Sequence, residues 1–293
     1  MRMQPLQWNY RPDGLRAPAL VCAFKGWNDA GDAASAAVSF VGESLGARQF
    51  ASIDPEDFYD FQSVRPQIKL VDGQARSIEW PEVKLYEVRV PRAPRDLVLL
   101  AGAEPSYRWR TFTGLVVELA EVIGVQLVVT LGALLADVPH TRPVSVTGFA
   151  SEPSLVQRLA LSQSSYEGPT GIIGVLHDAC TRVSMPSASL WAAVPHYISA
   201  APNPKAALAL IRKLEGLVGV AVDASDLEGA AADYERQVNA AIQHDPDIQA
   251  FVEKLEAAAG DEESDAFDLP SGDSIARDLQ RFLRQRGEDD PKN

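Results

Sequence analysis

Short apolar runs, nearly free of charge, limit what this chain can fold into. Residues 17–24, 96–100, 125–131 and 189–194 are such runs, and helical patterns lie between them. A strand with one wet face alternates apolar and polar side chains, whereas a strand apolar throughout is covered on both faces. The intervening periodicity predicts helices over 32–45, 109–123, 154–161 and 204–218. Asn203 is a good N-cap for the last, with Pro204 at its first position. Residues 144–149 and 171–176 read as two further strands. Between 47 and 90 the pattern alternates instead, as in Gln67-Ile68-Lys69-Leu70, Ser77-Ile78-Glu79-Trp80 and residues 84–90, which predicts half-buried, partly antiparallel strands. The fold class is therefore α/β: a mostly parallel sheet with helices on both faces, a three-layer α/β/α sandwich.

From Asp226 onward the pattern is helical. Residues 227–243 and 248–259 form a predicted helical hairpin broken at His244-Asp245-Pro246. An acidic loop at 260–265 and a helix at 271–286 follow. Charge changes at the same place. Residues 223–293 hold 19 Asp and Glu against 7 Lys and Arg, so nearly all of the net charge of −13 lies there. The expected organisation is an α/β/α domain over 1–222 and an acidic helical extension over 223–293 packed on it.

Several function classes drop out on charge and spacing. Neither part carries the basic footprint of a nucleic-acid or anionic-membrane binder. The most membrane-like stretch, 122–136, is 15 residues long with Gln126 inside it, short of the ~20 a spanning helix needs. The opening Met1-Arg2-Met3-Gln4-Pro5 lacks a signal-peptide apolar run, and the expected location is cytoplasmic. Cys22 and Cys180 sit in apolar stretches without metal-ligand spacing, and the four histidines show none either. No phosphate loop, dinucleotide fingerprint or HExxH helix occurs. Gly42-Glu43-Ser44-Leu45-Gly46 matches GxSxG, but at the end of a predicted helix rather than at a strand-to-helix elbow. No cofactor, metal or standard catalytic group is expected.

The densest polar cluster is Lys25-Gly26-Trp27-Asn28-Asp29-Ala30-Gly31-Asp32, between a buried strand and a helix, where open α/β sheets place ligand loops. Asp29 and Asp32 disfavour a bare phosphate there and suit a hydroxylated or cationic group. Either could equally cap the helix. If the sheet is parallel, Asn28, Asp29, Glu104 and Gly132 gather near one edge, with Trp27 as a stacking wall. A Glu–Asp pair there could do acid–base work, one carboxyl raised by its neighbour. A small-ligand site or hydrolase centre on Asn28, Asp29 and Glu104 is thus one of two functional expectations.

The other comes from resemblance. The stretch from Phe24 to Ser35 resembles the N-terminal signature of the proteasome assembly chaperone 2 family, in its actinobacterial branch. Leu100-Ala101-Gly102-Ala103-Glu104-Pro105, Thr130-Leu131-Gly132-Ala133-Leu134 and Tyr166-Glu167-Gly168-Pro169-Thr170-Gly171-Ile172-Ile173-Gly174 fall where the family has its next motifs. Together they span about residues 15–220. The resemblance implies an α/β/α sandwich related to phosphorylase/hydrolase-like folds, self-association, and a non-enzymatic chaperone-like assembly or interaction role. Its eukaryotic and archaeal relatives bind proteasome α subunits, and those that dock do so through a hydrophobic-Tyr-any tail. This sequence ends Glu288-Asp289-Asp290-Pro291-Lys292-Asn293, so docking by that tail is not expected. A homo-oligomer, most simply a cyclic trimer, is expected. Its better interface candidate is the stretch with Trp80, Tyr86 and Val88; the uncharged segment 187–201 reads as core.

Overall fold

The computed structural model describes residues 5–71, 75–152, 167–198 and 200–260. The expected helices at 154–161 and 271–286 and the acidic loop beyond Gly260 lie outside these residues.

An eight-stranded sheet forms the middle of the fold. Its parallel centre is β2 (Ala19–Lys25) flanked by β7 (Leu97–Ala103) and β8 (Leu127–Ala136), with β10 (Ser187–Pro195) beside β8. Every other pairing between strands among the described residues is antiparallel. β9 (Val146–Ala150) lies on the far side of β10, and β6 (Val83–Val88), β3 (Arg48–Ile53) and β1 (Leu6–Trp8) extend the sheet from β7. The sheet is mixed, which corrects the expectation of a mostly parallel one. Apolar runs identify the doubly covered centre but say nothing of the direction of the strands beside it. β6, for one, turns back into β7 through the short connection at 89–96, a return that antiparallel pairing allows without a crossover helix.

β2 shows why its run is apolar throughout. Ala19, Val21 and Ala23 face one core layer; Leu20, Cys22 and Phe24 face the other. The first layer is covered by α1 (Ala33–Ser44) and α4 (Pro204–Val218), the second by α2 (Trp109–Val122) and α3 (Ile172–Arg182). Both cysteines are buried in the second layer. Asn203 caps α4 as expected, its side chain accepting from the amide of Ala206 at 3.0 Å. α5 (Ser225–Ile242) packs on α4, and α6 (Pro246–Gly260) reaches the sheet edge, where Phe251 packs against His196 and Tyr197.

Two segments fold differently from the expectation. Residues 171–176, expected as a strand, begin α3: Ile172, Ile173, Leu176 and Cys180 line its buried side. A short apolar run does not separate a strand from one face of a buried helix. The alternating stretch around 67–80 leaves the main sheet. β4 (Gln67–Val71) and β5 (Ala75–Glu79) pair only with each other, as an antiparallel hairpin.

No helix among the described residues is long and apolar enough to cross a membrane.

Candidate functional site

The carboxyl ends of the parallel strands share one edge of the sheet, and the loops leaving them bring the polar residues together. The main chain itself fixes the register. The amide of Glu104 donates to the carbonyl of Lys25 at 2.8 Å, and the amide of Ala133 to that of Asn28 at 2.8 Å. Asp29 and Ala133 form an isolated parallel bridge that carries the β2–β8 pairing past the strand end.

Within this frame the Asn28 side chain donates from Nδ2 to Glu104 Oε1 at 2.8 Å. The amide of Ile172, the first residue of α3, donates to the same oxygen at 2.8 Å. The Trp27 amide is a third donor to this carboxyl. Glu104 thus joins the β2 loop, the β7 end and the N-terminus of α3, where the helix dipole also favours an acid. Burial nevertheless raises its pKa against the hydrogen bonds from Ile172, Asn28 and Trp27.

Asp29 serves the other helix. Its Oδ1 accepts from the amides of Ala34 and Ser35 at 2.7 and 3.2 Å, so this carboxylate caps the start of α1. Oδ2 is enclosed and makes no hydrogen bond among the described residues. Burial is the main cause of a raised Asp29 pKa, opposed by the Ser35 and Ala34 hydrogen bonds, and nearby Asp32 raises it further. Each carboxyl is thus raised by its own burial rather than by its partner, unlike the mutually shifted Glu–Asp pair expected from sequence.

Two glycines are required by close approach. A Cβ on Gly171 would lie 2.6 Å from Asn28 Oδ1 and 2.8 Å from its Cγ, so the Asn28 amide needs a bare backbone at the α3 N-cap. A Cβ on Gly132 would lie 2.7 Å from the ring of Trp191, its neighbour across the β8–β10 pairing. The sequence-predicted residues therefore gather, but in different ways. Asn28, Asp29 and Glu104 share hydrogen-bonded loops, Trp27 is half-buried and meets Glu104 through its backbone amide, and Gly132 makes room for an indole.

Sequence reasoning missed Tyr59. Its hydroxyl donates to the carbonyl of Ala103 at 2.6 Å, and burial, with the charge of Glu104, pushes its pKa far up. A lone tyrosine in an irregular loop gives no sequence signal. Among the described residues no group of three or more His, Cys, Asp and Glu could hold a metal ion.

The polar motifs at these strand ends fall within a larger match. Residues 23–242 fit the family model described as the PAC2 family. The chain belongs to the PAC2 family. Among solved structures of PAC2 relatives, a PAC2 family protein from Streptomyces avermitilis shares 49% identity. The match covers 80% of this chain and 99% of that one, with a TM-score of 0.76. A proteasome-assembly chaperone homologue from Mycobacterium tuberculosis shares 44% identity over 80% of this chain and 99% of its own, with a TM-score of 0.74. An archaeal proteasome activator from Pyrococcus furiosus, at 17% identity, shares the fold: 80% and 97% of the two chains are covered, with a TM-score of 0.66. No curated protein matches the chain.

Proposed function

We propose that this PAC2 protein is a non-enzymatic, chaperone-like assembly protein that self-associates and acts through protein–protein contact. The observation that carries the reading is the β4–β5 hairpin. Ile68, Leu70 and Ile78 are more than half exposed there, and Trp80, just beyond β5, is 46% exposed. Large exposed apolar side chains clustered on one hairpin outside the main sheet mark an interaction surface. Residues 65–80 carry three basic and two acidic side chains, in a chain whose net charge is −13. A weakly basic, apolar hairpin complements the acidic surface of a second copy. Such a heterologous, head-to-tail contact closes into a ring, most simply a trimer. The hydrogen bonds that occupy Asn28 and Glu104 also favour a structural role for the strand-end cluster.

Similarity to a proteasome-assembly chaperone homologue and to a proteasome activator makes proteasome α subunits the partner to test first. The division into a domain over 1–222 and an acidic helical extension over 223–293 belongs to the same proposal, with the extension as a solvated outer surface. Native-gel mixing with cognate α subunits tests the function. A complex at micromolar protein supports it, and no complex removes it.

One observation favours the competing reading, a small-ligand site at the strand ends: the enclosed, unpaired Oδ2 of Asp29. A thermal-shift screen of nucleosides, sugars and amines tests it. A ligand at 100 times its Kd stabilises by ~2.7 kcal/mol, and Asp29→Asn would abolish that shift. A flat screen leaves Asp29 as a helix cap.

A further inference from the structure

A separate cavity of about 270 Å³ lies where the loops after β8 and β10 meet α5. Its lining combines apolar side chains, among them Val144, Ala193 and Ile198, with polar and charged ones. The charges in this lining do not cancel. Lys205 Nζ donates to Glu235 at 2.6 Å and to the carbonyl of His140 at 2.5 Å, so these two side chains neutralise one another. Arg142, exposed at the rim, has no ion-pair partner among the described residues, in a chain with a large excess of acid. The cavity therefore carries one uncompensated positive charge. The N-terminus of α4, at Asn203, opens on the same space and adds to the positive potential.

A second observation points to a missing acceptor. Tyr234, on α5 and lining the cavity, has its hydroxyl enclosed and without a hydrogen-bond partner among the described residues. Enclosed hydroxyls normally have a partner, and leaving one unmade is costly. Burial raises the pKa of this group, so it stays a donor at neutral pH.

We propose that this cavity binds a small monocarboxylate with an apolar body. The carboxylate balances Arg142 and accepts from the Tyr234 hydroxyl; the body lies against Val144, Ala193 and Ile198. With Glu235 paired to Lys205, the one uncompensated positive charge is matched by a single carboxylate, which disfavours dicarboxylates and phosphate. Tyr234 and Glu235 come from α5 and the rest from the sandwich, so an occupant also fastens α5 in place. The proposal stands independently of any role in assembly.

The test is calorimetric titration and thermal shift on the full chain, with benzoate and 4-methylpentanoate as probes and benzamide, succinate and inorganic phosphate as controls. At least one monocarboxylate is expected to bind saturably at millimolar concentration or below, with no matching shift from the controls. Arg142→Gln, at an exposed rim position, should weaken binding by about tenfold or more. Tyr234→Phe should weaken it severalfold while leaving the melting temperature of the unliganded protein unchanged or higher, because no hydrogen bond is lost. A merely structural tyrosine would not behave this way. No shift with either monocarboxylate, an equal shift with benzamide, or undiminished binding by Arg142→Gln would overturn the proposal.

Discussion

Asn28 and Glu104 are 76 positions apart in sequence, and their side chains meet at 2.8 Å on the oxygen that also accepts from the amide of Ile172. One carboxylate thereby ties the β2 loop and the β7 end to the start of α3. Removing it should loosen all three. Glu104→Ala is expected to cost about 2–3 kcal/mol, the scale of hydrogen bonds to a charged acceptor. Glu104→Gln, which keeps an acceptor, should cost about 1 kcal/mol. Denaturant unfolding of the two variants measures both.

The approach of Asn28 to Gly171 gives a coupled pair. Gly171→Ala drives a methyl group into the Asn28 amide and should destabilise by about 1–3 kcal/mol, the range for overpacking. In an Asn28→Ala background the same methyl has space, so the double variant should be less destabilised than the sum of the two singles. An additive double-mutant cycle would show that the contact does not matter.

Both site carboxyls should leave a signature in stability against pH. Burial raises the pKa of Asp29 and of Glu104, so the native state holds these protons more tightly than the unfolded chain does. Where the unfolded chain binds fewer protons, stability falls as pH rises. The cost is therefore absent below the ordinary carboxylate range, grows as pH rises through it, and is complete above the raised native values. Subtracting the profile of Glu104→Gln from that of the native protein isolates one group. The difference should decline with rising pH from the ordinary glutamate range upward. A flat or rising difference contradicts the assignment.

The hairpin prediction concerns mass rather than stability. Leu70→Glu and Ile78→Glu alter side chains already more than half exposed, so unfolding free energies should stay within about 0.5 kcal/mol. Light scattering should show the native protein as an oligomer and either variant shifted toward the 31.7 kDa monomer. A native protein at 31.7 kDa at every concentration would refute self-association.

The sequence made the sheet centre legible because burial on both faces leaves no polar alternation: Ala19 to Phe24 could hardly be anything else. It misled at Ile172, Ile173 and Leu176, where a short apolar run fits a strand as well as the first turns of a buried helix. The gathering of Asn28, Asp29 and Glu104 followed from parallel strands ending on one edge. The parts played by Ile172, Gly171 and Tyr59 were hidden, because they arise from contacts between residues far apart in the chain. Gly132 was expected just past a strand ending at 131, but β8 runs on to Ala136, and the glycine's part as the space for Trp191 depends on β8–β10 register.

The central claim is that this PAC2 protein acts by binding other chains. Native-gel or light-scattering analysis of the full chain mixed with cognate proteasome α subunits tests it most directly. The account predicts a defined complex at micromolar concentration that persists when Asp29 is replaced by Asn. No complex at that concentration would contradict it, and an Asp29-dependent thermal shift from a nucleoside, sugar or amine would favour the small-ligand reading in its place.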